Sequence, residues 1–416
     1  MASVPIVPRH LIDHARDLAE RQDSLGRPSI TYLLSSISAS RNTLLHSIVS
    51  GTGVAVRKSG AFLLCLSAIV ISFPACSRFI SAPSHANGHF TNGPWTVREL
   101  WRFDHSPNSL ETSCESAKAC LAMEGGSIFR LDFAHNSATR LSMPISDPDW
   151  LTCFRIGGCA IGKSACTGSG SRCSTEIFRQ VGGDRTWKKI FSQGYSRESY
   201  SMISCGDARH CILAGKLNDG PGVMRITNNG GSSWTMLPPS KLYNVWDFAG
   251  ITCLTVKHCV AAGAQYPGHE TIAMISDNGG KTWKQTDRTY MPTAGYPEDL
   301  ECNGDTCAIA DSIPLLSQDA GDTWSLLPAP FASANEPSVM TEISCTNASS
   351  CIAMGIGPQI VGRWFASIVL GGPSWDLQNT TDRPIACEQF VSPTECIGEL
   401  SAGGDSFVVT VTESGE

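Results

Sequence analysis

Beyond about residue 90 the chain reads as short apolar or alternating runs, such as ISC, CVAAG, TIAMIS and TWKQT, with no helical stripe. Runs of this length and period are the signature of β-strands. They recur in a fixed frame. Six stretches align on sight: TSCESAKACLAME from Thr112, LTCFRIGGCAIG from Leu151, ISCGDARHCILAG from Ile203, ITCLTVKHCVAAG from Ile251, LECNGDTCAIAD from Leu300 and ISCTNASSCIAMG from Ile343. A seventh, IACEQFVSPTECIGEL from Ile385, carries a longer insert. The leading cysteines stand at 114, 153, 205, 253, 302, 345 and 387, a step of 39 to 52 residues. Repetition at this period outranks any local assignment of structure.

A second marker follows each cysteine pair. SDNGGKTW ends at Trp283, TNNGGSSW at Trp234 and SQDAGDTW at Trp324, with weaker copies GGDRTW ending at Trp187 and GGPSW ending at Trp375. These octapeptides resemble the BNR/Asp-box repeat, found in sialidases and many other β-propellers. Physically such a box is a turn. Its Ser/Thr and Asp/Asn bond nearby backbone, a glycine takes positive φ, and the tryptophan plugs between sheets. Four strands per repeat make one propeller blade, and seven repeats fill residues 90–416. The predicted fold is therefore all-β: a seven-bladed propeller of four-stranded blades. The termini sharpen it. FVVTVTE (407–413) reads as the third strand of a blade, and TNGPWTVREL near the other end supplies a box remnant and a fourth strand. Residues 94–101 are accordingly expected to pair with 406–413 and close the ring, leaving no open edge across it.

The sequence holds 18 cysteines, far above usage in a reducing compartment. Apart from Cys65 and Cys76, they pair locally: Cys114–Cys120, Cys153–Cys159, Cys166–Cys173, Cys205–Cys211, Cys253–Cys259, Cys302–Cys307, Cys345–Cys351 and Cys387–Cys396. A spacing of about six, with each cysteine at a strand end, sets the two β-carbons opposite each other across a hairpin, as a disulfide needs. Free core thiols are the alternative. A metal site would need CxxC knuckles or histidines at ligand spacing, and neither occurs; no metal and no cofactor are expected. Phosphate loops are absent as well.

The first ninety residues differ. Arg9–Gln22 and Ser29–Val49 carry helical stripes, and the stretch from His10 to Val49 resembles the first two helices of a HEPN-type domain. Arg41 and His46 have the R-x4-H spacing of HEPN ribonucleases, but two helices cannot supply the bundle that chemistry requires. Residues 1–53 are expected to be a HEPN-like fusion remnant or the product of a start placed too far upstream. Residues 54–86 then form a signal peptide and linker. Arg57 and Lys58 precede the uncharged run Ala61–Phe73, which is short for a membrane-spanning helix, needing about 20 residues. Phe73-Pro74-Ala75-Cys76 resembles a lipobox with Cys76 as the acylated residue; ordinary cleavage and a retained anchor remain open. Residues 87–416 form the propeller. Residues 1–58 carry seven Lys/Arg against four Asp/Glu, so the net charge of −7 leaves −10 on the remainder. An acidic body without a basic block excludes nucleic acid as a main partner, and membrane contact is expected only through a lipid or signal anchor. The expected location is the periplasm, outer membrane or cell surface.

Propeller ligands usually sit on the face opposite the Asp-boxes, built from the links between blades. Six of the seven tyrosines fall between residues 195 and 296, in those loops. The candidate binding residues are Tyr195, Tyr200, Tyr243, Trp246, Tyr290, Tyr296, Glu298 and Asp299; aromatic faces beside carboxylates suit a sugar or a protein. The plainer reading is that tyrosine tolerates a half-wet loop. The family resemblance implies a non-catalytic binding or assembly module, monomeric, for an envelope protein or glycan. The alternative is a sialidase-like glycoside hydrolase, needing three arginines on a carboxylate and a Tyr–Glu nucleophile pair. Phe154-Arg155-Ile156-Gly157 approaches the sialidase Arg motif, but falls within the Cys153–Cys159 hairpin and lacks its proline.

Overall fold

The computed structural model describes residues 84–413, apart from 87, 93–94, 104–109, 117–118, 136, 155–157, 168–171, 182–185, 219, 268–269, 287–295, 330–338, 346–349, 357–362, 371–374, 380–384, 393–394 and 403–404. The helical segment, the signal sequence and the lipobox cysteine lie outside the described residues. Those described belong to one compact unit, Arg78–Glu416. They form seven antiparallel sheets with a single 3-10 turn at Pro239–Lys241.

Blades 1 to 6 each use four consecutive strands and begin at Glu111, Trp150, Glu198, Val245, Asp299 and Val339. The seventh takes three strands from the end of the chain, Ile385–Ser392, Glu395–Ala402 and Asp405–Glu413, and a fourth from the beginning, Trp95–Phe103. The register runs from Trp95 opposite Glu413 to Phe103 opposite Ser406. Ring closure by the two termini is thus as expected from the two half-blades. Two further short strands, Ser84–His85 and His89–Asn92, pair with Trp95–Phe103. The opening strands of blades 1 and 2 and of blades 3 to 7 in succession touch one another around the centre, and the opening strand of blade 7 meets that of blade 1. The opening strand of blade 3 meets the second and third strands of blade 2.

The strands read as apolar runs because each sheet is buried on both faces. In blade 4, Cys259–Gln265 and Glu270–Ser276 are buried at nearly every position. Alternation then assigns neighbours to different cores. Ala261 packs toward blade 3 with Ile212, Met224 and Leu237, whereas Val260 and Ala262 pack toward blade 5 with Leu300, Ile309 and Leu315. Trp101, Phe103 and Val408 of blade 7 likewise pack on Phe129 and Leu131 of blade 1.

Three turns join the third and fourth strands of blades 3, 4 and 5 in one pattern. The hydroxyl of Thr227, Ser276 or Ser317 accepts the amide of Gly231, Gly280 or Gly321 at 2.8–3.0 Å. The Oδ1 of Asn229, Asn278 or Asp319 accepts the amide of Ser233, Thr282 or Thr323 at 2.8–2.9 Å. The glycine has a second duty besides its positive φ: a Cβ on Gly280 would stand 2.5 Å from Ile212 Cδ1 of blade 3. The closing tryptophan also reaches the preceding blade. Trp234 Nε1 donates to the Ile190 carbonyl of blade 2 at 2.8 Å, and Trp283 packs in the blade 3–blade 4 core.

Among the described residues, seven disulfides join cysteines placed directly opposite, with Cα–Cα distances of 3.9–4.0 Å. They are the first seven expected pairs. Cys396 is also disulfide-bonded; the Cys387 side chain lies outside the described residues. This number of disulfides points to an oxidising, exported compartment, and among the described residues no helix is long and apolar enough to cross a membrane.

Candidate functional site

In an antiparallel four-stranded blade, the first and third turns share one end, and the second turn and the link to the next blade share the other. Backbone bonds confirm the pairing at the first end: Gly230 N–H donates to Arg209 O, Gly279 to Lys257 O and Ala320 to Asp305 O. The cysteine hairpins and tryptophan turns therefore form one face. Of the candidate aromatic residues, Tyr195, Tyr243, Trp246 and Tyr296 lie toward the other.

The link into blade 4 organises that face. Tyr243 and Asn244 both take positive φ, 54° each, a conformation costing about 1–2 kcal/mol for a residue with a Cβ. Three bonds hold it. Gln265 Nε2 donates to the Tyr243 carbonyl at 2.6 Å, Tyr266 N–H to the Asn244 carbonyl at 3.1 Å, and Tyr243 Oη to the Trp283 carbonyl at 3.1 Å. Trp246 follows in the first strand of blade 4 and stacks on Tyr266, with ring centroids 5.0 Å apart and 28° between planes. Tyr266 is 54% exposed. Beside the stack, Lys216 of blade 3 approaches the Asp247 carboxylate at 2.8 Å. Tyr296 donates to the same carboxylate at 3.3 Å. The result is a rigid aromatic platform with a fixed charge pair at its edge.

The remaining candidates divide. Tyr195 is exposed at the end of the fourth strand of blade 2. Tyr200 stands apart, its side chain enclosed between blades 2 and 3 and stacked edge-on against Phe191. Its phenol donates to Glu198 Oε2 at 2.6 Å, while Arg225 bonds both the phenol oxygen and that carboxylate at 2.7 Å. Burial, and then the neighbouring Glu198 carboxylate, push the Tyr200 phenol well above its usual range. Burial also works against the Glu198 carboxylate, but the bonds from Tyr200 and Arg225 outweigh it and hold the group below the ordinary value. The triad braces the first and third strands of blade 3, and the inter-blade contact is the Tyr200 ring against Phe191 of blade 2. Glu298 donates its amide to Ala310 O at the start of blade 5. Asp299 turns inward, where its Oδ2 accepts the Ile343 amide of blade 6 at 3.4 Å and burial raises its carboxyl to about 6. Tyr290 lies outside the described residues, as do Arg155, Ile156 and Gly157; Phe154 is buried in the blade 2–blade 3 core.

Asp299 belongs to a repeated device that the sequence reading missed. Three residues before the leading cysteine, Glu111 in blade 1 accepts the Leu151 amide of blade 2 at 2.9 Å, as Asp299 serves blade 6. One residue before the cysteine, Ser113 and Ser204 accept the amides of Cys153 and Cys253 at 2.8 Å. These side chains satisfy the inner-edge amides of the next blade. Lys216, Gln265 and Tyr266 are likewise not among the binding residues expected from the sequence, since neither charge nor aromaticity in a loop announces its partner.

No family model matches the chain, and no curated protein matches it. Solved structures do. A YCF48 structure with a bound D1 peptide is similar over 81% of this chain and 100% of that one, at 14% identity and TM-score 0.48. YCF48 from Cyanidioschyzon merolae matches over 74% and 96%, at 8% identity and TM-score 0.48. The GH74 xyloglucanase from Xanthomonas campestris matches over 77% of this chain and 53% of its own, at 10% identity and TM-score 0.51. At that identity the property this chain shares with the xyloglucanase is the propeller fold.

Proposed function

We propose that this chain is an exported, envelope-associated, monomeric propeller whose link face at blades 3 to 5 binds a protein or glycan ligand without transforming it. The observation that carries the reading is the Trp246–Tyr266 stack beside the strained Tyr243–Asn244 turn and the Lys216–Asp247–Tyr296 bonds. Aromatic rings already packed on one face lose little entropy on binding and gain contact area on the other. Backbone strain held in place by three bonds belongs where geometry matters for recognition. The sialidase-like alternative asks for an accessible phenol of lowered pKa, whereas Tyr200 is 0% exposed and its phenol is shifted upward.

The bonding shared by the turns ending in Trp234, Trp283 and Trp324 supports their reading as Asp-boxes. The disulfides support export, and delivery by residues 54–86 with acylation at Cys76 completes the proposal. The mass of the membrane-extracted protein tests the acyl chain. For the site itself, a photoreactive residue at position 266 should cross-link a discrete envelope partner or glycan in the producing cell. With that ligand in hand, Trp246→Ala should weaken binding at least about tenfold. Unchanged affinity, or turnover of aryl glycosides that depends on Glu198 or Tyr200, would overturn the reading.

A further inference from the structure

On the opposite face, a cavity of about 620 Å³ opens between blades 3 and 4, within the range of small-ligand sites. Four fixed turns wall it. Two are the tryptophan turns of blades 3 and 4, each closed by the hydroxyl and amide bonds described above. The other two are the hairpins carrying Cys205–Cys211 and Cys253–Cys259, which contribute His210, Val256 and Lys257. A cavity framed this way is formed before any ligand arrives, which removes most of the ordering cost of binding.

Its chemistry is cationic and hydroxyl-matching. The ammonium groups of Lys257 and Lys281 line it and have no acidic partner among the described residues. The lining carboxylate, Asp277, is already neutralised by Lys284 at 2.8 Å and His258 at 3.0 Å. Asn228 and Thr235 offer side-chain amide and hydroxyl groups that bond nothing else among the described residues. Two cations without an acidic partner at the rim of one cavity stand out on a body whose net charge is strongly negative. We propose that this cavity is a binding site for an acidic saccharide, its carboxylate held by Lys257 and Lys281 and its hydroxyls by Asn228 and Thr235. The site is separate from the aromatic platform and does not rest on it.

Titration calorimetry of the intact oxidised protein with trigalacturonate, maltotriose and inorganic sulfate tests the assignment. Trigalacturonate should bind saturably. The double substitution Lys257→Ala/Lys281→Ala should reduce its affinity at least about tenfold, the equivalent of one charge-assisted bond. Asn228→Ala should reduce it severalfold, and Trp246→Ala on the other face should leave it unchanged. Both lysines are exposed, and an unaltered thermal midpoint for the double variant will separate loss of binding from loss of fold. Maltotriose binding as well as trigalacturonate would remove the role of the carboxylate. Sulfate binding as well would leave an anion site and no saccharide site. Absence of trigalacturonate binding, or binding indifferent to both lysines, would overturn the proposal outright; loss on Trp246→Ala alone would move the saccharide to the link face.

Discussion

Replacing Glu111 by glutamine isolates one carboxyl of the inner ring. Its Oε1 accepts the Leu151 amide across the blade 1–blade 2 junction at 2.9 Å. Burial raises its pKa to about 7, only partly countered by that bond. The unfolded chain titrates near 4.3. Below that value the proton is bound in both states and the carboxyl fits its surroundings without penalty. As pH rises the unfolded chain releases the proton first, so folding loses stability progressively until the folded carboxyl also ionises near 7. A shift of that size sets a ceiling of about 4 kcal/mol; because the side chain keeps some solvent, about 1–3 kcal/mol is the expected loss between pH 4.5 and 8. Glutamine keeps the acceptor and removes the ionisation. Urea unfolding under oxidising conditions should therefore find Glu111→Gln equal to the parent at pH 4.5 and more stable by that amount at pH 8. Glu111→Ala, which strands the Leu151 amide, should be less stable than the glutamine variant by about 1–3 kcal/mol throughout. If the glutamine variant kept the parent's full pH slope, the carboxyl would not be the titrating group and the burial argument would fail.

Gly280→Ala should destabilise by about 2 kcal/mol or more, because φ of +83° and the approach to Ile212 both oppose a Cβ; urea midpoints measure it. At the equivalent turn of blade 5, Ala320 has φ of +59°, so Ala320→Gly should stabilise by about 0.5–1 kcal/mol by the same measurement. His258 bridges Asp277 of its own blade, at 3.0 Å, and the Ala320 carbonyl of the next, at 2.8 Å. Burial opposes its charge, but those two partners outweigh it and raise the pKa. Its contribution is full below the unfolded value near 6.5 and lost as pH rises through the folded one. His258→Gln should thus cost about 1 kcal/mol at pH 5.5 and less at pH 8.5 in parallel unfolding series.

The blades were legible because their period is written in local features: cysteines opposite one another in a hairpin, and a turn that fixes its own bonds within eight residues. Ring closure was legible for the same reason, since each terminus carried a recognisable fraction of one blade. What escaped depends on neighbours distant in sequence. Trp246 and Tyr266 meet only because Val245 pairs with Gln265, and nothing in a tyrosine distinguishes the enclosed Tyr200 from the open Tyr266. The inner-ring acids were visible in principle, as ETSC, DLEC and EISC align three residues before the cysteine. Their purpose appears only when the next blade's unpaired amide is in place. The lysines of the inter-blade cavity carry no signal in isolation, because their lack of an acidic partner is a property of the folded surface.

The strand Trp95–Phe103 finds its partner more than 300 residues later, at Asp405–Glu413. Blade 7 is therefore the last to be finished in any N-to-C emergence of the polypeptide, and until then the opening segment waits with a bare edge. Joining the segment 95–103 directly behind residue 413 and opening the chain ahead of blade 1 would turn that long-distance pairing into a simple hairpin. Such a permutant would assemble each blade from contiguous chain and have no need to hold its beginning in reserve for its end.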